Sequence, residues 1–302
     1  MMQDFRVLLA LVKRNIKLYF KDKGTFIMSL ITPLILLALF VTFLNNVYQS
    51  SLINIVGEGS VNKKLIDAFS GGWLLSSLLG VCCVTIAFCS NVQVSDKVSG
   101  SELDLNSTPT KKSVISLSYF IANFFTTFII CFVAMIVGFI YLAIIGWYLS
   151  IIDVLLIFLN LILCILFGTL LASIVENFIS NQGGLSAVAT LVSSLYGFLC
   201  GAYMPISQFG AGIRNFVMFI PGTYGVILFR NYYMNGVLNE FSKTLPKEMI
   251  DGIKDSFDGN AYFFGNQVEL WQMYLVLGLS VLVLIGIYLG VVFLKGRKVK
   301  NG

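Results

Sequence analysis

The sequence predicts an all-α integral membrane protein: six transmembrane helices, an N-terminal interfacial amphipathic helix, and re-entrant helices between spans five and six. Composition is the first reason, because 57% of the 302 residues are hydrophobic and only 12% are charged, about half the charged share of a soluble protein. The second is that the apolar residues form uncharged runs of about 20 residues, the length that crosses a bilayer. We interpret residues 1–302 as one transmembrane domain.

Residues 1–22 have the pattern of an amphipathic helix in the membrane interface. Apolar residues from Phe5 to Tyr19 recur at helical spacing, and basic residues occupy the other faces. The side chains expected near anionic headgroups are those of Lys13, Arg14, Lys17 and Lys21. A merely solvated helix is the alternative. The basic stretch is too long for a cleavable signal peptide, and no small-residue cleavage site follows it.

Six uncharged runs define the spans, and polar stretches separate them. The spans are Phe26–Leu44, Trp73–Gln93, Tyr119–Ile145, Val154–Val175, Gly183–Met204 and Leu270–Leu294. Of the stretches between them, Asn45–Ser70 is expected to be a loop with a short helix, residues 96–112 a charged loop, and residues 235–269 an external segment with an amphipathic helix over 244–257.

Charge and tryptophan positions predict the orientation. Six spans place both termini on one side, and the N-terminus, the 96–112 loop and the tail hold 13 of the 20 Lys and Arg residues. Basic residues favour the cytoplasmic side, and the three tryptophans fall at the opposite, outer interface. We therefore expect both termini in the cytoplasm and the chain in a plasma (inner) membrane. Six unpaired cysteines inside apolar runs fit a bacterial membrane.

One apolar stretch, Cys200 to Arg230, is unsuited to crossing the membrane. Two prolines remove backbone donors, and Arg214 would cost roughly 2.5–3.5 kcal/mol at the bilayer centre. The prediction is a re-entrant segment over residues 205–234, made of two short pieces, Ile206–Phe219 and Gly222–Met234. Broken backbone at membrane depth is tolerated only where protein or a water path satisfies it, which indicates a gate. The gate residues expected are Gly201, Pro205, Arg214, Pro221, Gly222 and Arg230.

Several kinds of chemistry are missing from the sequence. It has no histidine, no metal-ligand spacing, no paired carboxylates near an interface and no nucleotide-binding motif. We therefore expect no catalytic residue, metal or cofactor in this chain, and the net charge of +5 is not interpreted as nucleic-acid affinity. Ionisable residues are almost absent from the spans, which argues against ion coupling and favours an energy source outside the chain.

The 96–112 loop is the predicted contact for such an energy source. Asp96, Lys97, Glu102 and Asp104 are suited to pair with a soluble partner, and Leu103 adds an apolar edge. An ordinary solvated connection is the alternative interpretation.

Three sets of residues resemble a known family. They are Arg14-Asn15 with Lys21-Asp22-Lys23 before Pro33; Asp96-Lys97 through Gly100 with Thr108-Pro109; and Gly201-Ala202-Tyr203-Met204-Pro205 with Pro221-Gly222-Thr223-Tyr224 and Arg230. Together they resemble the transmembrane (permease) subunits of ABC (ATP-binding-cassette) type-2 exporters. The resemblance implies membrane lipid around the chain, a second permease, identical or paralogous, and two ATPase subunits that hold the ATP and Mg.

The resemblance also implies the type of cargo, without naming it. It indicates export of an amphiphilic drug, antibiotic, peptide or lipid-like substrate, and the long 235–269 segment favours these over polysaccharide. Two alternatives stay open. One is a membrane sensor or resistance module that binds an antimicrobial and signals to a partner. The other is an exporter of polysaccharide or lipid-linked glycan.

Overall fold

The computed structural model describes residues 2–57, 61–90 and 92–298. The middle of the predicted Asn45–Ser70 loop and the last four residues of the basic tail lie outside the described residues. Within them the chain forms α-helices and one short hairpin: α1 (Met2–Lys21), α2 (Lys23–Leu39), α3 (Asn45–Val56), α4 (Lys63–Cys89), α5 (Val92–Ser99), α6 (Ser101–Ser107), α7 (Lys112–Ile145), α8 (Ile151–Phe178), α9 (Gln182–Leu199), α10 (Ala211–Val217), α11 (Pro221–Phe241), α12 (Lys247–Ser256), β1 (Ala261–Phe263), β2 (Asn266–Val268) and α13 (Leu270–Lys298).

The helices confirm the predicted all-α membrane architecture. Among the described residues, five helical stretches are long and apolar enough to cross a membrane, and the bent pair α10–α11 makes a sixth if it is counted as one span: Lys23–Val56, Lys63–Ser99, Lys112–Ile145, Ile151–Phe178 and Leu270–Leu294 are the five. The predicted fifth span corresponds to α9, which is not among the five. Its 18 residues reach about 27 Å at 1.5 Å per residue, and they include four Ser and Thr residues. The antiparallel β1–β2 hairpin was not predicted.

The first span is longer than the sequence analysis predicted. A π-helical turn, Phe40–Leu44, joins α2 to α3, so one helix runs to Val56. The sequence predicts a loop with a short helix over Asn45–Ser70, whereas Asn45–Val56 ends the first long helix and α4 already begins at Lys63. The helix continues because Tyr48, Leu52 and Val56, four residues apart, give α3 one buried face.

Helix α4 is the centre of the bundle. Of its most apolar stretch, 94% is buried, and α11, α8 and α7 pack around it. It begins ten residues before the predicted Trp73, where the Asn62 side chain accepts a hydrogen bond from the Lys64 backbone N–H and caps the helix. Gly72 lets α11 approach, since a Cβ there would lie 2.9 Å from the carbonyl oxygen of Tyr233.

The bundle has two distinct ends, which we name the α1 end and the hairpin end. At the α1 end, Tyr288 near the end of α13 donates to the Ser116 carbonyl at the start of α7 (2.8 Å). At the hairpin end, Tyr48 of α3 packs on Phe257 beyond α12 (ring centroids 6.0 Å apart). If α9 is counted with the five long helices, successive helices alternate in direction between these ends, and both ends of the described chain lie at the α1 end.

After α9 the chain forms two helices that meet at a sharp bend, within the stretch for which the sequence predicts a re-entrant segment. A 3-10 turn, Ile206–Gln208, leads to α10, and the axes of α10 and α11 differ by 94°. Helix α11 begins deep beside α8, where Asn160 donates to the Gly225 carbonyl (2.8 Å). It then runs back to the hairpin end, where Asn235 donates to Asp153 (2.8 Å). The second piece ends at Phe241 rather than Met234, because Val237, Leu238 and Phe241 stay buried.

The predicted charged loop over residues 96–112 is largely helical. Helices α5 and α6 form a short pair that turns at Gly100, whose φ of 82° is the left-handed conformation that glycine adopts readily. Helix α12 agrees with the amphipathic helix expected over 244–257.

Candidate functional site

At the α1 end, a partly buried ion pair joins α1 to α5. The Arg14 guanidinium donates to both carboxylate oxygens of Asp96 (2.5 and 3.0 Å), and the Tyr119 hydroxyl of α7 donates to the same carboxylate (2.6 Å). Asp96 is 6% exposed. The structure thus places Asp96 in a joint within the chain, with Arg14 directed at it instead of at lipid headgroups.

Lys97 also serves an internal contact. Its ammonium group donates to the backbone carbonyls of Glu176 (2.6 Å) and Ile179 (2.9 Å), which end α8. A cation there neutralises the carbonyls that a helix terminus leaves unpaired. Helix α5 is therefore held between α1 and α8.

The outward surface of this joint is formed by α6 and α1. Leu103 is 72% exposed, Asp104 is exposed and Glu102 is half-buried. Lys13, Lys17 and Lys21 are exposed on α1. Of the predicted coupling residues, Glu102, Leu103 and Asp104 are thus the ones open to a partner.

A second ion pair lies on this surface. Lys111, just before α7, donates to the Asp4 carboxylate of α1 (2.9 Å), and the adjacent ammonium lowers the pKa of Asp4. Both side chains are exposed, so the pair adds little stability.

Between α2 and α9 lies a large open groove. Its volume is about 920 Å³, within the usual range for a small-molecule site. The α2 wall is apolar, with Met28, Ile31 and Ile35 among its residues. The α9 wall mixes exposed polar and apolar side chains: the hydroxyl residues Ser186, Thr190 and Ser194, which follow one another at four-residue spacing, and the apolar Phe198. The groove therefore offers both an apolar and a hydroxyl-lined surface.

The hairpin end is closed by a fully buried cation. Arg230 of α11 pairs with Asp258 (2.6 Å), donates to the Ser77 hydroxyl (3.3 Å) and to the Gly201 carbonyl, and lies over the Trp73 ring at 4.7 Å. The Arg230 side chain thus joins its own helix, α11, to α4, to the end of α9 and to the turn after α12. We name these five residues the Arg230 lock.

The anion of the lock is equally well held. Asp258 accepts hydrogen bonds from the backbone N–H groups of Ile206 (2.6 Å) and Ser207 (2.9 Å) in addition to Arg230. Burial raises the pKa of Asp258, and the Arg230 charge and the two backbone donors oppose that rise. Its φ of 54° is uncommon for a residue other than glycine, and such strain concentrates at functional positions.

The predicted gate residues apart from Arg230 have different structural roles. Gly201 has a φ of 73°, and Pro205 is buried immediately before the 3-10 turn. Pro221 opens α11, where its missing N–H costs no hydrogen bond. Gly222 faces the Tyr196 hydroxyl so closely that a Cβ would collide with it. Arg214 is not part of the lock.

A bundle of crossing helices with a re-entrant segment, an apolar groove and a lock at one end defines the class: a polytopic membrane transport protein. The model of one family, the ABC-2 type transporter, matches residues 6–234. The chain belongs to the ABC-2 type transporter family and is an ABC transporter permease. The match extends from α1 into α11. Comparison with curated proteins and with solved structures gave no match.

Sequence reasoning missed three parts of this site. Asp258 was one of many polar residues in the 235–269 segment, and nothing local distinguishes it. Tyr119 was interpreted as the start of a span, and Trp73 as an interfacial anchor, although it is buried against Arg230. The hydroxyl groups of α9, at four-residue spacing, are the one signal from which the groove was detectable.

Proposed function

We propose that this chain is the permease half of an ATP-driven exporter that moves an amphiphilic substrate out across the plasma membrane. The observation that carries the proposal is the α2–α9 groove, whose apolar wall faces a hydroxyl-lined wall. An amphiphilic drug, antibiotic, peptide or lipid-like molecule has the matching pair of surfaces. The Arg230 lock then serves as the outer gate above this path.

The proposed orientation places the α1 end in the cytoplasm. Basic residues concentrate there, in α1, in the 96–112 region and near the end of α13, as the positive-inside tendency requires. Both termini are then cytoplasmic, and the membrane is the plasma (inner) membrane of a bacterium.

The energy is proposed to come from two ABC ATPase subunits at the α1 end. They hold the ATP and Mg and contact the exposed surface of α6. Because α5 is tied to α1 by Arg14 and to α8 by Lys97, a push on α6 reaches the interfacial helix and the fourth span together. The substrate path then changes shape without chemistry in this chain.

A second permease, identical or paralogous, is proposed to cover the open side of the groove. Helix α9 packs mainly on α4 and α5, and its outer face carries both exposed hydroxyls and Leu191, Leu195 and Phe198. A polar stripe on a short helix is better satisfied against protein than against lipid tails.

The test is purification of the chain from its native membrane with any associated subunits. The expected result is co-purification with an ATPase, a mass that corresponds to two permeases, and ATP hydrolysis that rises with an amphiphilic substrate. Transport by the chain alone with an ion gradient would contradict the proposal. ATPase association without efflux of labelled substrate would favour the sensor alternative, and stimulation by glycan-linked lipid alone would favour the glycan exporter.

A further inference from the structure

A second cavity lies at the hairpin end, outside the α2–α9 groove. Its volume is about 540 Å³, large enough for the polar head and the first carbons of a lipid. Its walls come from five places in the chain: α3, the turn over 205–208, α10, α11 at Ile227, and the turn between α12 and β1. They combine apolar surface, such as Ile55 and Met218, with polar groups, such as Ser51 and Gln208. We name it the hairpin-end cavity.

Arg214 is the cation of this cavity, and it has no partner within the described part of the chain. It lies on the same side of α10 as the buried Val217 and Met218. Its buried Nε has no hydrogen bond, and no ion pair is found for its guanidinium among the described residues. The Nε of Arg230 also has no hydrogen bond, but the terminal nitrogens of Arg230 bind Asp258, Ser77 and Gly201, whereas no described side chain or carbonyl binds those of Arg214. A buried guanidinium atom without a partner is costly unless a ligand supplies one.

The acidic residues of the cavity do not fill that role. Asp255 accepts hydrogen bonds from Asn260 (2.7 Å) and Tyr262 (2.8 Å). Asp258 is held by Arg230 and by two backbone donors. The arrangement leaves Arg214 free to bind an anion from outside the chain.

The opposite face of α10 indicates what kind of molecule would carry this anion. Ile213, Phe216, Phe219 and Phe264 are each 57–63% exposed and form one apolar edge, with the Phe219 and Phe264 rings 6.3 Å apart. Phe264 holds a φ of 48°, rare for a bulky residue, and its N–H donates to Asn215 of α10 (3.1 Å). A contiguous exposed apolar edge of this kind is typical of a surface that contacts the membrane. Helix α10 thus has lipid on one face and a cation on the other.

We propose that the hairpin-end cavity binds the phosphate group of a phospholipid from the leaflet at that end of the bundle. Arg214 holds the phosphate, because its planar fork matches two oxygens of such a group. The apolar edge of α10 and the hairpin contacts the acyl chains. This inference goes beyond the proposed function, since it holds whichever substrate the permease moves and in whichever direction.

The test measures lipid bound to the purified, delipidated protein in neutral detergent. The probe is phosphatidylglycerol, titrated and counted by native mass spectrometry, against diacylglycerol, which lacks the phosphate. Arg214→Gln is expected to weaken phosphatidylglycerol binding about tenfold, and Arg214→Lys by less. Lys247→Gln is the matched control, because it removes an exposed charge at the same end that does not line the cavity.

Any of the following results would overturn the proposal. Phosphatidylglycerol binding that is unchanged in Arg214→Gln, or equal to diacylglycerol binding, excludes Arg214 as a phosphate ligand. Displacement of the lipid by millimolar inorganic phosphate shows a site for a free anion and not for a lipid. Misfolding does not confound the result, since Arg214 has no partner to lose and Arg214→Gln is expected to keep the wild-type melting temperature.

Discussion

Arg230 shows how a single charge organises the hairpin end. A fully buried guanidinium is tolerated because Asp258, Ser77, Gly201 and Trp73 surround it. Buried ion pairs add little net stability over apolar packing, but removing one partner leaves an uncompensated charge. The lock therefore specifies one closed arrangement and has a high cost when half of it is lost, which is a property suited to a gate.

The first prediction concerns Asp258→Asn. Asparagine keeps the size and tolerates the positive φ, but it leaves Arg230 unpaired, so we expect a loss of stability on the order of 3 kcal/mol. Cys200, fully buried beside the lock, should then react faster with a membrane-impermeant thiol reagent from the hairpin end. The labelling rate is measured in a variant whose other five cysteines are replaced by alanine.

The control for Asp258→Asn is Glu240→Gln. It breaks the exposed pair of Glu240 with Lys243 at the same end, a change worth about 0–1 kcal/mol. Equal melting temperatures and equal Cys200 labelling in the two variants would show that the lock does not close this end.

At the scale of elements, α6 is the part of the α1 end that a partner can reach. Helix α5 is occupied by internal contacts through Asp96 and Lys97, whereas α6 presents Leu103 and Asp104 to solvent. The short helical pair thus combines an anchored half with an exposed half. That division suits an element that transmits force from a soluble subunit.

The second prediction is charge reversal on α6. Glu102→Lys together with Asp104→Lys should lower substrate-stimulated ATP hydrolysis several-fold without loss of membrane insertion, because neither side chain holds the bundle together. The measurement compares ATPase rates per inserted protein. The matched control reverses Glu248 and Asp251, two exposed acids of α12 at the other end. If substrate-stimulated ATP hydrolysis is unchanged in the α6 variant, or is lowered in the α12 control, the docking surface lies elsewhere.

At the scale of the whole molecule, the crossing pattern fixes which segments share a side. The α1 end gathers α1, α5, α6 and the end of α13, and the hairpin end gathers α3, α12 and the hairpin. Two single-cysteine variants in a cysteine-free chain, Lys298→Cys and Lys247→Cys, report the two ends separately. We expect an impermeant maleimide to label Lys247→Cys in intact cells and Lys298→Cys only after permeabilisation. The reverse pattern would invert the proposed orientation.

How much of this was predictable depends on the range of the interactions. The spans and the re-entrant segment follow from local composition, since apolar runs, prolines and glycines act where they stand. The lock does not, because Arg230 and Asp258 are 28 positions apart and meet only once α11 and α12 have packed. Likewise, Asp96 was expected to be exposed, as charged residues usually are, and only the tertiary approach of Arg14 and Tyr119 explains its burial.

The continuous helix from Lys23 to Val56 has a mechanical consequence. Its 34 residues make a rod of about 51 Å at 1.5 Å per residue, so a tilt of about 5° displaces its tip by about 4 Å. The last third of the rod carries Tyr48, whose ring contacts Trp73 with centroids 4.3 Å apart and planes tilted by 50°. A π turn lies near its middle, where Thr42 donates to the Ala38 carbonyl (2.7 Å), and such turns are frequent at functional sites. A small swing at the base is thereby amplified into a stroke that pulls on the aromatic platform beneath the buried guanidinium.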